Sequence, residues 1–218
     1  MTLFSSTGRR RFLLGLSGIA VFLTLTFQIP PAQASTFEDE ARDFVSKLAD
    51  KAIRDLTDKT VPRSKRIMRF REFFNTHFAV SGIGKWILGR HWRKASEVER
   101  EEYLSLFEDL MVVSYVDRFA AYAGEPLKII KTLAVDDTNA TVFSEIHQNE
   151  GAPPVRVNWR VARKDAMYKI VDVVVEGTSM SNTLRSDFGS IIRQRGNKVS
   201  GLIEALREKT ATLRAKGS

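Results

Sequence analysis

Phe37, Ala41, Phe44, Leu48, Ala52 and Leu56 recur at intervals of three and four, with Val45, Ala49 and Ile53 beside them, which predicts a helix. Pro62, a residue suited to a first helical turn, opens a second helix through Ile67, Phe70, Phe73 and Phe74. Residues 79–89 read as a short apolar helix ending at Gly89. Ser96 and Glu99 have capping-box spacing before a long helix through Tyr103, Leu106, Phe107, Leu110, Val113, Tyr115 and Phe119, which Gly124-Glu125-Pro126 stops. The period then changes. Leu127–Val135, Thr138–His147, Val155–Arg163 and Met167–Val175 are rich in branched residues, and turn-forming segments at 136–139, 151–154 and 163–166 separate them. Links this short exclude crossover helices, so the strands pair antiparallel. Two helices, about 180–195 and 197–214, close the chain. The expectation is an α+β domain: a curved four-stranded antiparallel sheet with helices covering one face.

Charge and composition narrow the setting. Of 218 residues, 43% are apolar and 28% charged, a globular balance, and the net charge is +8. Residues 1–34 read as an export signal: Arg9, Arg10 and Arg11, an uncharged run from Phe12 to Ile29, then Ala32-Gln33-Ala34 as a cleavage site. Arg9-Arg10-x-Phe12-Leu13 resembles a twin-arginine signal, with Gly8 where that pattern prefers Ser or Thr. An uncleaved membrane anchor is the alternative, but glycines and polar residues dilute the run, so cleavage after Ala34 is expected. That leaves residues 35–218 as one basic, exported domain, expected to be a monomer in the periplasm. Export also turns the basic charge toward lipid headgroups or an acidic protein surface rather than nucleic acid. The charge is uneven: residues 63–94 hold nine Lys or Arg and one acid, whereas 97–109 hold six acids and one base.

Catalytic chemistry finds little support. The chain has no cysteine and three histidines, His77, His91 and His147, in separate elements and without metal-ligand spacing. No G-x-S-x-G elbow or phosphate loop occurs, and Gly82-Ile83-Gly84 begins a dinucleotide-like string that Ile87 breaks. Asp136-Asp137 is explained by a hairpin turn. Asp172 stands alone as an acid inside an apolar strand. The expectation is a protein that is not an enzyme and needs no metal or cofactor.

Apolar bulk is the stronger signal, with 14 Phe plus Trp86, Trp92 and Trp159. Antiparallel strands under amphipathic helices leave a lipophilic cavity where the sheet curves away, although a solid core has the same sequence signature. Val157, Trp159 and Val161 share one strand face and are the expected cavity wall, joined by Ile170 and Val174. Trp86 and Trp92, beside Lys85, Arg90, Arg93 and Lys94, suit a portal edge where a headgroup or partner meets the basic side chains. The alternative makes both tryptophans core anchors and pairs the bases with Glu97, Glu99, Glu101 or Glu102.

The string Leu88-Gly89-Arg90-His91-Trp92-Arg93, followed by the acidic capping box and Phe107, resembles the MlaC, or toluene-tolerance auxiliary, family. Asn158-Trp159-Arg160-Val161, Tyr168-Lys169-Ile170-Val171-Asp172-Val173 and Glu176-Gly177-Thr178-Ser179 look like its last hairpin and exit loop. Arg185, Phe188, Ile191, Ile192, Gly201-Leu202-Ile203 and Leu206 look like its closing helices. The resemblance spans nearly all of residues 36–210, with Leu184 where Tyr is more usual and Ala79 where Asp is common. It implies a periplasmic phospholipid shuttle served by an inner-membrane ABC complex with an MCE protein and by an outer-membrane lipoprotein complex. A hopanoid-associated branch of the family carries a loop like Gly177–Met180, which makes a hopanoid the other cargo to consider. The competing reading is a solid-core adaptor that docks a membrane complex through its basic surface and carries no lipid.

Overall fold

The computed structural model describes residues 36–121, 125–147 and 153–216, all within one compact unit. The expected export segment, Gly124 and the Gly151 end of one turn lie outside the described residues. Helices α1 (Phe37–Leu56), α2 (Arg63–His77), α3 (Val80–Leu88) and α4 (Glu97–Ala121) come first, with a 3-10 turn at Gly89–Arg93. Strands β1 (Leu127–Ala134), β2 (Asn139–Ile146), β3 (Val155–Lys164), β4 (Met167–Val175) and β5 (Thr178–Ser179) follow, then α5 (Met180–Gln194) and α6 (Val199–Ala215). The sheet is an antiparallel meander in the order β1-β2-β3-β4-β5. Its fifth strand is two residues long, too short to leave an alternating pattern in the sequence.

Local chemistry explains most boundaries. Thr36 and Asp39 form a reciprocal capping box on α1, and Ser96 and Glu99 form another on α4. Pro62 is the residue before α2 rather than part of its first turn, with ψ at 141°. Lys169 of β4 reaches the carbonyls of Asn75 and Thr76 and so satisfies orphan acceptors at the end of α2. The α2–α3 junction then pairs with β4: Ala79 N–H donates to the Ile170 carbonyl at 2.9 Å. This contact covers part of an otherwise open strand edge.

A bulge in β4 sets which residues face inward. Trp159 pairs with Val173, but Val161 pairs with Ile170, so Val171 is an extra residue on β4. Strict alternation puts Ile170 and Val174 on one face. The bulge instead puts Ile170 and Val173 there, because directly opposed residues share a face.

The basic run at 63–94 divides in the folded chain. Arg71 bridges Glu108 at 2.7 Å and Asp109 at 2.6 Å, while Arg63 and Arg66 share Asp117. The α2 half therefore meets the acidic face of α4. Among the described residues no ion pair involves Lys85, Arg90, Arg93 or Lys94; Glu99 caps its own helix and Glu102 takes Arg207.

Candidate binding site

Two apolar cavities lie between the helices and the sheet. The first, about 200 Å³, is walled by Phe70, Phe73, Phe74 and Phe78 at the α2 side, and by Phe107, Met111, Tyr115 and Phe119 of α4. Both sets follow helical spacing: the α4 residues recur every four positions and stack along one face. Trp159 and Val173 form its sheet side, and Ile83, Met180 and Leu184 complete it. Burial raises the pKa of the Tyr115 phenol, so this hydroxyl stays protonated and neutral. The second cavity, about 210 Å³, lies among Ala49, Ala52 and Ile53 of α1, Leu127, Ile146 and Val157.

Phe119 and Trp159 border both cavities and form the partition between them. Trp159 is held in place by its polar tip. Its Nε1 donates to Ser144 Oγ at 3.1 Å, and Ser144 donates to the Val157 carbonyl at 2.5 Å. Phe119 packs on Phe70 with ring centroids 5.2 Å apart and planes tilted by 58°. Neither side chain leaves a polar atom without a protein partner.

A third, mixed space of about 430 Å³ adjoins the first cavity and shares Ile83, Asp172 and Ser181 with it. Trp86, Arg160 and Asn139 also line it. Asp172 is 6% exposed and well satisfied: Ser179 Oγ donates at 2.6 Å, Ser181 N–H at 3.1 Å, and Arg160 lies 3.3 Å away. Arg160 keeps about half of its side chain in solvent. The carboxylate thus holds a half-exposed guanidinium beside the apolar cavity.

A hollow dry interior with a cationic mouth is the geometry of a carrier for an amphiphile, and sequence comparison points the same way. The family model described as MlaC protein matches residues 46–208. The chain belongs to the MlaC family. It is 24% identical over 116 residues to the intermembrane phospholipid transport system binding protein MlaC of Haemophilus influenzae, covering 52% of this chain and 54% of that protein. The chain thus spans about half the length of that curated relative. The phospholipid-binding protein from Ralstonia solanacearum, solved in complex with a phospholipid, superposes with a TM-score of 0.70 at 22% identity, over 80% of this chain and 98% of that one. That likeness establishes a shared fold.

Within this MlaC-family fold the expected site residues separate into groups. Val157 and Trp159 border cavities. Val161 and Ile170 are fully buried in the packed core and border none of the described cavities. Val174 pairs with Asn158 and Ser179, and the bulge gives its expected place to Val173. Trp86 lines the mouth, 46% exposed, under a stacked Arg185. Trp92 is partly buried and packs against the hydrophobic core; Lys85 and Arg100 lie over its ring, and Arg100 also donates to its carbonyl at 2.9 Å. Arg93 and Lys94 are exposed and border no described cavity, while Arg90 lines a separate pocket against α5. The strongest missed signal is the four-residue spacing of Phe107, Met111, Tyr115 and Phe119. Taken from sequence, it reads as ordinary core.

Proposed function

We propose that this protein carries a phospholipid through the periplasm, with the acyl chains in the two apolar cavities and the headgroup at the Arg160 mouth. The observation that carries the reading is the pair of back-to-back cavities, walled almost wholly by apolar side chains and divided by Phe119 and Trp159. Two flexible chains suit two compartments. A rigid fused-ring hopanoid fits only if the partition swings aside, so the phospholipid is the favoured cargo.

The energetics suit exchange without an energy source in the carrier. Each methylene gains about 0.8 kcal/mol on leaving water. Moving a chain from bilayer to cavity trades one apolar medium for another and changes little, and the carrier removes the cost of crossing water. Donor and acceptor complexes, an inner-membrane ABC/MCE assembly and an outer-membrane lipoprotein, supply direction, and Lys85, Arg93 and Lys94, which form no ion pair among the described residues, are the bases available to dock them. Residues 1–34 direct export and are removed after Ala34.

Native mass spectrometry of the purified protein tests this reading. A co-purified two-chain phospholipid, in about one copy per chain, is the expected result. A lipid-free protein that still binds a membrane complex would instead support the solid-core adaptor, and a bound polycyclic lipid would replace the cargo.

A further inference from the structure

A fourth pocket lies among α3, the 3-10 turn and α5 and shares no lining residue with the two apolar cavities or the Arg160 mouth. It measures about 240 Å³. Its floor is apolar, formed by Ile87, Leu88, Phe188 and Ile192, all almost fully buried. Its walls are Arg90 and His91 of the 3-10 turn and Arg185 and Arg193 of α5. We propose that this pocket binds a phosphate oxyanion, either as the free ion or as the headgroup of a membrane lipid.

The first argument is charge without a counterion. Among the described residues no carboxylate pairs with Arg90, Arg185 or Arg193. Arg90 Nε donates at 3.5 Å to the ring nitrogen Nε2 of His91, a poor acceptor for a guanidinium. Arg185 uses Nη1 on the Trp86 carbonyl at 2.8 Å and rests its plane on the Trp86 ring. Several arginines elsewhere in this protein meet carboxylates, as Arg71 does with Glu108 and Asp109. Here the fold gathers cations around a concave space and leaves their donors available.

The second argument is that the backbone is shaped for this arrangement. Gly89 has φ of +56°, a conformation that favours glycine. A Cβ at this position would lie 2.8 Å from Nη2 of Arg185. The glycine therefore lets the guanidinium lie against the chain at the pocket wall. Burial lowers the pKa of His91, and Arg90, Lys94 and Arg193 lower it further. An anion in the pocket opposes the charge contribution. Planar guanidinium forks match the oxygens of phosphate better than lysine ammonium groups do.

This inference does not depend on the lipid-carrier reading. It is tested by titrating the purified protein with inorganic phosphate and following the His91 ring resonances by NMR. Saturable shifts are expected in the wild type. Loss of one charge-assisted contact in Arg193→Gln weakens binding by about tenfold or more, and Arg90→Gln, on the exposed turn, is the second variant. Lys47→Gln, an exposed change of equal charge on α1, leaves binding as it was. Vesicles of phosphatidylcholine with and without phosphatidic acid then assign the source. Competition by the acidic vesicles alone identifies a lipid headgroup, and no competition identifies the free ion. A shift that grows linearly without saturation, or equal weakening in Lys47→Gln, overturns the proposal.

Discussion

The inward face of the sheet has a filled row and hollow rows, only two residues apart along β3. Ala140, Val161 and Ile170 lie side by side across three strands, and all are nearly or fully buried in the packed core. The next row, Val142, Trp159 and Val173, borders the first cavity through its last two members, and Val157 beyond it borders the second. The two cavities are hollow for different reasons. The first is walled by aromatic rings set at an angle to one another: Phe74 and Phe78 meet at 43°, Phe70 and Phe119 at 58°. Tilted flat rings leave gaps between them. The second lies beside Ala49 and Ala52 of α1, whose side chains are too short to fill the space next to Val157. Burial alone does not tell wall from core on this face: Ala140, Val161 and Ile170 share one buried cluster with Ala41, Val45 and Leu48, and also with Phe70, Phe73, Phe74 and Phe107, which wall the first cavity.

Substitutions sharpen this contrast, beginning with the filled row. Ile170→Ala is expected to cost about 2–5 kcal/mol in chemical denaturation, as for a close-packed core deletion, with lipid content per folded molecule unchanged. Trp159→Ala is expected to cost less than the roughly 3–5 kcal/mol of a packed aromatic, because part of the ring already faces empty space. It merges the two cavities, so the amount or identity of bound lipid in native mass spectra changes. A larger stability loss for Trp159→Ala than for Ile170→Ala, with occupancy constant, would erase the distinction. Met111→Trp enlarges a side chain that already faces a void. It is expected to shift stability by no more than about 1 kcal/mol, below the usual cost of overpacking, while lowering lipid occupancy.

The smallest effect is electrostatic. His77 packs against Phe44 and Phe73, and burial, followed by Lys51 and Lys169, lowers its pKa. Its folded pKa lies below the unfolded value, so the unfolded chain takes up the proton first as pH falls. Stability therefore declines as pH drops below about 6.5. Denaturation midpoints in His77→Phe are expected to show a shallower decline than in the wild type.

Much of this architecture was legible in the residue order. Alternation of Val155, Val157, Trp159 and Val161 gives the wet and dry faces of β3, and the capping boxes mark two helix starts. The inward register of β4 was not legible, because the bulge at Val171 exists only in its pairing with β3. Nor was the division of the basic run. It depends on where α4 brings Glu108, Asp109 and Asp117 round to face α2, and nothing in the local spacing of Arg63, Arg71 or Arg90 records that. Trp92 follows the same logic: its neighbours in sequence suggest a portal, while in space it packs against the core with Lys85 and Arg100 over its ring.

The extra residue at Val171 makes β4 unequally sensitive to changes in chain length. Losing it would restore a regular ladder, because Asp172 would follow Ile170 directly and Val173 would still stand opposite Trp159. Ile170 and Val173 would keep the inward face and Asp172 its place opposite Arg160, while the local twist that the bulge adds would be lost. A residue added between Asp172 and Val173 would instead take the place opposite Trp159 and turn Val173 to the other face. A one-codon deletion at the bulge would thus spare the cavity wall, whereas a one-codon insertion just beyond it would exchange that wall.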